Sequence, residues 1–513
     1  MEDAAPYTTT PALPQLPGPH LLALAGAALV VLTLARYLAA GLTNPLRHVP
    51  GPWWAKYTSL PMHYHRWVVP DKFRWAHRLH QRHGPVVLVA PGEVSVGGLE
   101  GLQAVHRMGT GFRKGAFHEN FRMGPAPSLF DMTDARAHAQ RRRLFSGAFT
   151  ARSLRDNWEP EVRRIADKAV ARIRADAAAG AADVAAWWRF MAGDVVSRLS
   201  FGEAFNMLDG LDRADLRFWA ALRVLGQTIL LRQYMSPGTM DTLARVLPIP
   251  WLRRVAAAKA VIYDQGTVAV RNMQRKGDPD RRNIFHKIME EAEQCHDGKE
   301  ASGLTDDAVR SEAATFIIGG AETTSTALLY LTWAVLKRPG LQRRVEEEVA
   351  ALRPGFTDED VEALPLLNCV IHESLRLYSP TAGANARVCP PGGATIEGVY
   401  IPGGSVVCTL GYAVHRIPEV FPHADEFDET RFENPSPEVK AAFSTFMIGS
   451  RGCIGRHLAM MELRLAAALL FRECRGLRLC KSVTDDSMEQ VMRVFTSSKG
   501  GKCEVTLVDD LAQ

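Results

Sequence analysis

The sequence predicts a mainly α (α+β) protein: one large helical domain with a small β-sheet toward its N-terminal side, preceded by one transmembrane helix. Three observations predict it. An apolar run near the N-terminus is long enough to span a bilayer; two short alternating segments follow; most of the rest carries helix signals, including one run of about 32 residues. The chain has 513 residues, 47% hydrophobic and 23% charged, which is ordinary for a globular protein. A net charge of +5 is too small to point to nucleic acid, and no such partner is expected. The eight cysteines are scattered, with no Cys-x-x-Cys pair, which fits a reducing compartment and free thiols.

The elements follow in order. Residues 1–19 form a short segment with Glu2 and Asp3 and no basic region, which argues against a cleaved signal peptide. Residues 20–42 are apolar apart from Arg36, whose long side chain can reach the interface. Arg47, His48 and Lys56 follow the run. The positive-inside rule therefore places the bulk of the chain in the cytosol and residues 1–19 in the lumen. Residues 43–52 carry Pro45, Pro50 and Pro52, a stiff non-helical hinge. Residues 53–513 show no second long linker and no repeat, so they read as one domain. Within it, Pro85–Ala90 and Glu93–Val96 alternate as strands and are joined by the turn Ala90-Pro91-Gly92.

The long helical run begins at Thr305-Asp306-Asp307, an N-cap with acidic first-turn residues, and stops before Pro339-Gly340. At about 32 residues it is roughly 48 Å long, enough to cross a domain. Its centre reads Gly319-Gly320-Ala321-Glu322-Thr323-Thr324, where glycines and threonines weaken the helix. A threonine hydroxyl there can bond back to the i−4 carbonyl and open the ladder.

Phe446-x-x-Gly449-x-Arg451-x-Cys453-x-Gly455 precedes a further helical segment. A cysteine just ahead of a helix N-terminus has its thiolate stabilised by the helix dipole and free N–H groups. The glycines let backbone approach a large flat group, and Arg451 adds a fixed cation. With 41 glycines, 21 phenylalanines and 8 cysteines in the chain, chance yields this pattern about twice per ten thousand chains of this size. The stretch resembles the haem-binding signature of the cytochrome P450 superfamily, of microsomal type, with all five defining positions present. The surrounding wording, such as His415-Arg416-Ile417-Pro418, is most similar to filamentous-fungal members, many of which act in secondary metabolism.

The resemblance implies the family's triangular-prism fold and haem b as cofactor. It implies that Cys453 is the axial iron ligand, with Phe446, Gly449, Gly455 and Arg451 around the haem. The centre of the long helix matches the family's Ala/Gly-Gly-x-Asp/Glu-Thr-Thr/Ser motif. There Gly319 and Gly320 leave a groove for O2, Thr323 hydrogen-bonds the bound oxygen and Glu322 relays protons. Glu373-x-x-Arg376 places two charges on one helix face. Arg431 is expected to join them in a buried cluster, although the family's Pro and Glu are replaced here by Glu429 and Thr430. His138, Arg142 and Arg387 match positions that meet the haem carboxylates.

The implied function is a haem-thiolate monooxygenase of the endoplasmic reticulum membrane, single-pass and facing the cytosol. It inserts one oxygen atom from O2 into a lipophilic small molecule by hydroxylation or epoxidation. No flavin or iron–sulfur stretch is legible, so electrons are expected from NADPH through a separate NADPH–cytochrome P450 reductase, docked on Arg141, Arg143 and Arg456. The substrate pocket is expected along Phe112–Phe121, Phe218–Tyr234, Phe316, Gly320 and Thr381–Ala384. An oxidative rearrangement or coupling enzyme, and a non-catalytic haem-binding sensor, stay as alternatives.

Overall fold

The computed structural model describes residues 19–210, 213–276, 283–286, 288–289 and 305–508; the segment 1–18 and Cys295 lie outside the described residues. Helix α1 (Pro19–Leu42) starts one residue ahead of expectation, with a proline in its first turn, where a missing N–H costs nothing. Its 24 residues extend about 36 Å, more than the roughly 30 Å of bilayer hydrocarbon. Apart from Gly41, which is buried against Tyr57, its apolar surface is open: Leu24, Leu29 and Leu32 are each 67% exposed. An apolar surface of that kind is stable only against lipid or a partner.

The proline-rich connector reads in sequence as a plain stiff hinge, but it docks. Leu46 and Val49 are buried, and the Leu88 amide donates to the Pro50 carbonyl at 2.7 Å. Gly51, at φ +155°, comes so close that a Cβ would lie 2.6 Å from the Leu88 carbonyl oxygen, so only glycine fits.

The strands are β1 (Val86–Ala90), β2 (Glu93–Val96), β3 (Ala182–Asp183), β4 (Ala384–Val388), β5 (Ala394–Ile396), β6 (Val399–Ile401), β7 (Val406–Leu410), β8 (Arg478–Leu479), β9 (Gln490–Met492), β10 (Thr496–Ser498) and β11 (Glu504–Thr506). The main sheet runs β1-β2-β7-β4. β1 and β2 are the two strands read from the sequence; β4 and β7 come from some 300 residues downstream. Among the described residues only the β2–β7 pairing is parallel, and β9–β10 form a separate antiparallel hairpin.

The helices of ten or more residues after α1 are α2 (Lys72–His83), α3 (Ala135–Ser146), α4 (Ala151–Ala179), α5 (Val184–Phe201), α6 (Arg213–Leu231), α7 (Pro237–Val246), α8 (Pro250–Lys276), α9 (Asp306–Leu336), α10 (Pro339–Ala350), α11 (Pro365–Leu377) and α12 (Arg456–Glu473). α9 begins as expected: the Thr305 hydroxyl accepts from the Ala308 amide at 3.2 Å. Pro339 lies in the first turn of α10 rather than in a loop, since proline suits that position. α9 threads the core between α5, α8, α11 and α12 and is buried along most of its length. The seven described cysteines are free.

A buried polar frame joins α11 to the segment that carries the cysteine signature. Glu373 and Arg376 are both fully buried and meet through two bonds of 2.7 Å. Arg376 also donates to the carbonyls of His415 and Ala424, at 2.8 and 2.7 Å. The Asp428 amide donates to Glu373 at 2.9 Å, and Arg431 Nε lies 3.4 Å from the same carboxylate. His415 Nδ1 faces the Arg376 carbonyl at 3.0 Å, while its Nε2 accepts from the Ser444 amide at 3.0 Å. That pair of partners requires the neutral Nδ1–H tautomer. Burial and then Arg376 push its pKa down to about 3, in agreement. The Thr445 hydroxyl donates to the Leu375 carbonyl at 3.0 Å, so residues 444–445 are tied to α11 twice.

Breaking such a frame on one side strands a buried charge. Arg376→Met is expected to cost about 3–5 kcal/mol of stability, and Glu373→Leu/Arg376→Met less than that. Thermal and urea unfolding of the three chains measure this; a single variant as stable as the parent would show the frame to be dispensable.

Candidate active site

Residues 446–455 fold as a tight loop ahead of α12. The Cys453 amide donates to the Phe446 carbonyl at 2.8 Å, and a 3-10 turn spans Gly449–Arg451. Gly449 adopts φ +74°, and a Cβ there would overlap the His106 carbonyl oxygen. Its missing side chain therefore serves loop packing, where the sequence suggests room for a flat cofactor. Gly455 caps α12. Phe446 lies below Arg456, whose guanidinium carbon is 5.8 Å from the ring centroid.

Cys453 is the one exposed cysteine among the described residues. Its thiol opens onto free space yet has protein mass close around it. That desolvation raises its pKa, while the Gly455 amide, Arg142 and Arg456 pull it down. Those three groups are what a bound thiolate needs for stabilisation.

A second feature stands beside the loop. His138 and Arg142 project from α3, whose N-cap Asp134 accepts from the Ala137 amide at 2.7 Å. Arg387 projects from β4 and is buried. Arg451 lies in the loop itself. Lys114 and His118, not singled out from the sequence, join them. Lys114, Arg142, Arg387 and Arg451 hydrogen-bond to backbone carbonyls, of Phe130, Gly452, Ala386 and Met132, and none pairs with a carboxylate among the described residues.

The titration of each group reflects this crowding. Burial, then Arg387 and Arg451, push Lys114 down to about 7. Burial, then Lys114, Arg387 and Arg451, push His118 down to about 2. Burial, then Arg451 and Lys114, bring His138 to about 3, and burial with Arg451 brings Arg387 to about 10. His118 Nδ1 is buried with no partner. A buried cluster of like charge is stable only with an anion among it. The two carboxylates of a haem fit this donor set, with the Cys453 thiol as the soft ligand for iron.

The third feature is a stripe on α9. Thr323 Oγ1 donates to the Gly319 carbonyl at 2.6 Å, the back-bond anticipated for a weakened helix centre. Gly319 faces open space: a methyl group placed on its Cα would meet nothing within 4 Å. Gly320 does not: a Cβ there would lie 2.7 Å from Val196 of α5. The groove expected at both glycines thus belongs to Gly319 alone, and Gly320 permits close helix packing. Glu322 faces Arg189 of α5 at 3.6 Å, and Arg189 lies 5.6 Å from the Trp219 ring of α6.

Other expected positions fall elsewhere. Arg141 points inward and pairs with the fully buried Glu312 at 2.9 Å, so it offers nothing to a docking partner; Arg143 and Arg456 are exposed. Phe316 stacks on Phe145 at 5.0 Å, and Phe218 is buried against Trp219 at 5.4 Å, both as core. Tyr234 is 51% exposed and bonds to His63 at 2.8 Å. Glu373, Arg376 and Arg431 come together as expected, in the frame behind the loop. Lys114 and His118 lie within the stretch that the sequence suggests as an apolar pocket wall; a lysine and a histidine among its phenylalanines are the available signal.

The comparisons with known proteins agree with this geometry. The family model described as Cytochrome P450 matches residues 56–505. The cytochrome P450 monooxygenase stcB of Emericella nidulans is 37% identical over 472 residues, covering 90% of this chain and 89% of that protein. The cytochrome P450 monooxygenase aflV of Aspergillus parasiticus is 34% identical over 515 residues, covering 99% of this chain and all of that protein. The methylphloroacetophenone oxidase of Cladonia uncialis is 30% identical over 416 residues, covering 77% and 88%. A cysteine loop, a cationic cradle and a helix with an exposed glycine beside a back-bonded threonine occur together in a chain matched along its catalytic length: it belongs to the cytochrome P450 family and is a haem-dependent monooxygenase of the fungal type.

Proposed function

We propose that this chain binds haem b through Cys453 and oxygenates a lipophilic small molecule in a fungal secondary-metabolite pathway, by hydroxylation or epoxidation. The observation that carries the cofactor reading is the cradle of Lys114, Arg142, Arg387 and Arg451, none of which forms an ion pair with a carboxylate among the described residues, although Asp131 and Asp134 act on Lys114 and Arg451 from nearby. His118 and His138 complete it. The chain divides into a lumenal segment 1–19, an anchor 20–42, a hinge 43–52 and a catalytic domain 53–513 facing the cytosol from the endoplasmic reticulum. NADPH reaches the site only through a separate NADPH–cytochrome P450 reductase, for which the exposed Arg143 and Arg456 are docking positions.

When bound, haem would be held through the Cys453 thiolate and would supply the oxygen activation. The protein's own work is positioning and proton control. Burial works against a thiolate at Cys453, and the Gly455 amide, Arg142 and Arg456 work for one. Thr323 has a single hydroxyl proton, now given to the Gly319 carbonyl. Rotation of that hydroxyl delivers the proton into the groove beside Gly319 and frees the carbonyl to accept in turn. Arg189 faces the Glu322 carboxylate at 3.6 Å; that carboxylate takes up a proton from solvent water and, as the acid, passes it on to the Thr323 oxygen.

Three outcomes test the reading. Cys453→Ser abolishes the strongly red-shifted Soret band of the reduced carbon monoxide complex in membranes; an unchanged band removes Cys453 as ligand. Lys114→Met weakens haem retention about tenfold, as expected for one charge-assisted hydrogen bond. Haem transfer to apomyoglobin measures it, and an unchanged rate removes Lys114 from the cradle. Gly319→Ala leaves the fold stable or gains up to about 1 kcal/mol of helix propensity while lowering turnover. Gly320→Ala loses about 1–3 kcal/mol through its clash with Val196. Equal unfolding temperatures for the two variants would refute this division of labour.

A further inference from the structure

One buried ion pair lies outside both the cysteine loop and the frame behind it. Glu312 of α9 is fully buried, and Arg141 of α3 nearly so. Glu312 Oε1 accepts from Arg141 at 2.9 Å and from the Leu129 amide at 2.8 Å. Its Oε2 is buried too and has no partner among the described residues. Burial pushes the carboxyl up to about 7, against Arg141 and the Leu129 amide, which pull it down. A buried pair satisfied through one carboxylate oxygen adds little stability beyond what two apolar side chains would give. What it does supply is a fixed place for each of its two partners.

Both partners lead to the cradle. Arg141 sits on α3 next to Arg142 and one turn after His138. Leu129 lies in a turn whose carbonyls hold two further cations: Phe130 accepts from Lys114, and Met132 accepts from Arg451 at 2.8 Å. That turn is stiffened from within. The Asp131 carboxylate accepts from the Ser128 amide and hydroxyl at 3.0 and 2.6 Å, and the Met132 amide donates to the Ser128 carbonyl at 3.0 Å. Arg142, Lys114 and Arg451 therefore take their places from backbone that Glu312 ties to α9. On α9 itself, Glu312 lies two turns, about 10 Å, before Gly319 and three turns before Thr323, on the same face. Phe316, between them, stacks on Phe145 of α3 at 5.0 Å.

We propose that Glu312 is a positioning residue for the oxygenation: it fixes the cationic cradle against the face of α9 that carries Gly319 and Thr323, so that the cofactor's seat and the groove keep one spacing. It acts through Arg141 and Leu129 and not on the reacting atoms. A carboxylate oxygen shared by two donors suits this task, because charge-assisted hydrogen bonds hold one geometry where apolar side chains slide past each other. The tie joins three separate pieces of chain, α3, the turn at 128–132 and α9, at a single atom. The proposal rests on the monooxygenase reading, which makes the cradle the seat of haem.

The test uses the full haem-loaded chain in lipid nanodiscs. It reads haem transfer to apomyoglobin and the infrared C–O stretching band of the reduced carbon monoxide complex, which reports the surroundings of the bound gas. Glu312→Gln/Arg141→Met removes both buried charges and keeps an acceptor for the Leu129 amide. It transfers haem about tenfold faster than the parent, the usual effect of losing a group that orients a ligand set from behind, and its C–O band broadens. Arg141→Lys, which keeps the charge, transfers haem more slowly than Arg141→Met. A double variant with the parental rate and band overturns the proposal. Faster transfer with a parental C–O band, or equal rates for Arg141→Lys and Arg141→Met, makes the pair a structural tie only. Where these chains do not fold, Glu312→Asp decides: it keeps the charge but draws the junction in by one methylene, so the C–O band shifts, and a parental band there refutes the positioning role. A parent chain without the strongly red-shifted Soret band would instead defeat the monooxygenase reading; a parent that shows the band, with variants that match it, defeats the positioning role alone.

Discussion

Positive charge in excess, with Asp131 and Asp134 near it but no ion pair among the described residues, is the constraint around which this protein is arranged. α3, β4, the cysteine loop and the segment before α3 converge on one place, and each brings a base there: Arg142, Arg387, Arg451, Lys114. Protein folding normally avoids this, because buried like charges without counterions are costly. Here the histidines stay neutral and the lysine falls to about 7. The apoprotein therefore holds part of its folding free energy in reserve, and an anionic cofactor collects it by linkage. Haem binding and stability are thus two views of one interaction.

The cysteine has the opposite requirement, a fixed position with few contacts of its own. It is met from behind. The Glu373–Arg376 pair cannot be solvated, so it gathers every nearby carbonyl it can reach, and His415 relays that order to Ser444. Thr445 adds a second tie. The loop that follows is held at its root and by the His106 carbonyl against Gly449, leaving the thiol itself free. Rigidity is supplied by groups that never touch the reacting atoms.

α9 shows how one helix does two jobs through adjacent residues. Gly320 gives up its side chain so that α5 can approach, and Gly319 gives up its side chain so that something else can. Thr323 donates its own hydroxyl to the Gly319 carbonyl, a bond that can be exchanged for another. The same helix reaches the β9–β10 hairpin at Thr326.

The sequence by itself determined whatever depends on local chemistry. The apolar run is long enough for a bilayer, and helix α9 has its cap, its weak centre and its end written in neighbouring residues. A five-position pattern singles out Cys453, and a spacing of three puts Glu373 and Arg376 on one helix face, where they pair. What the tertiary structure alone decided are matters of distance in space. The two strands legible in the sequence are completed by two from far downstream, because pairing of edges leaves no local mark. Adjacent glycines in one motif part company because each faces a different neighbour. Arg141 and Arg142 look alike in the chain, yet successive helical positions point about 100° apart, so one meets Glu312 and the other the cysteine loop. Lys114 and His118 read as incidental polar residues until the fold sets them among three arginines. Charge acquires its meaning from what stands opposite, and only the folded chain specifies that.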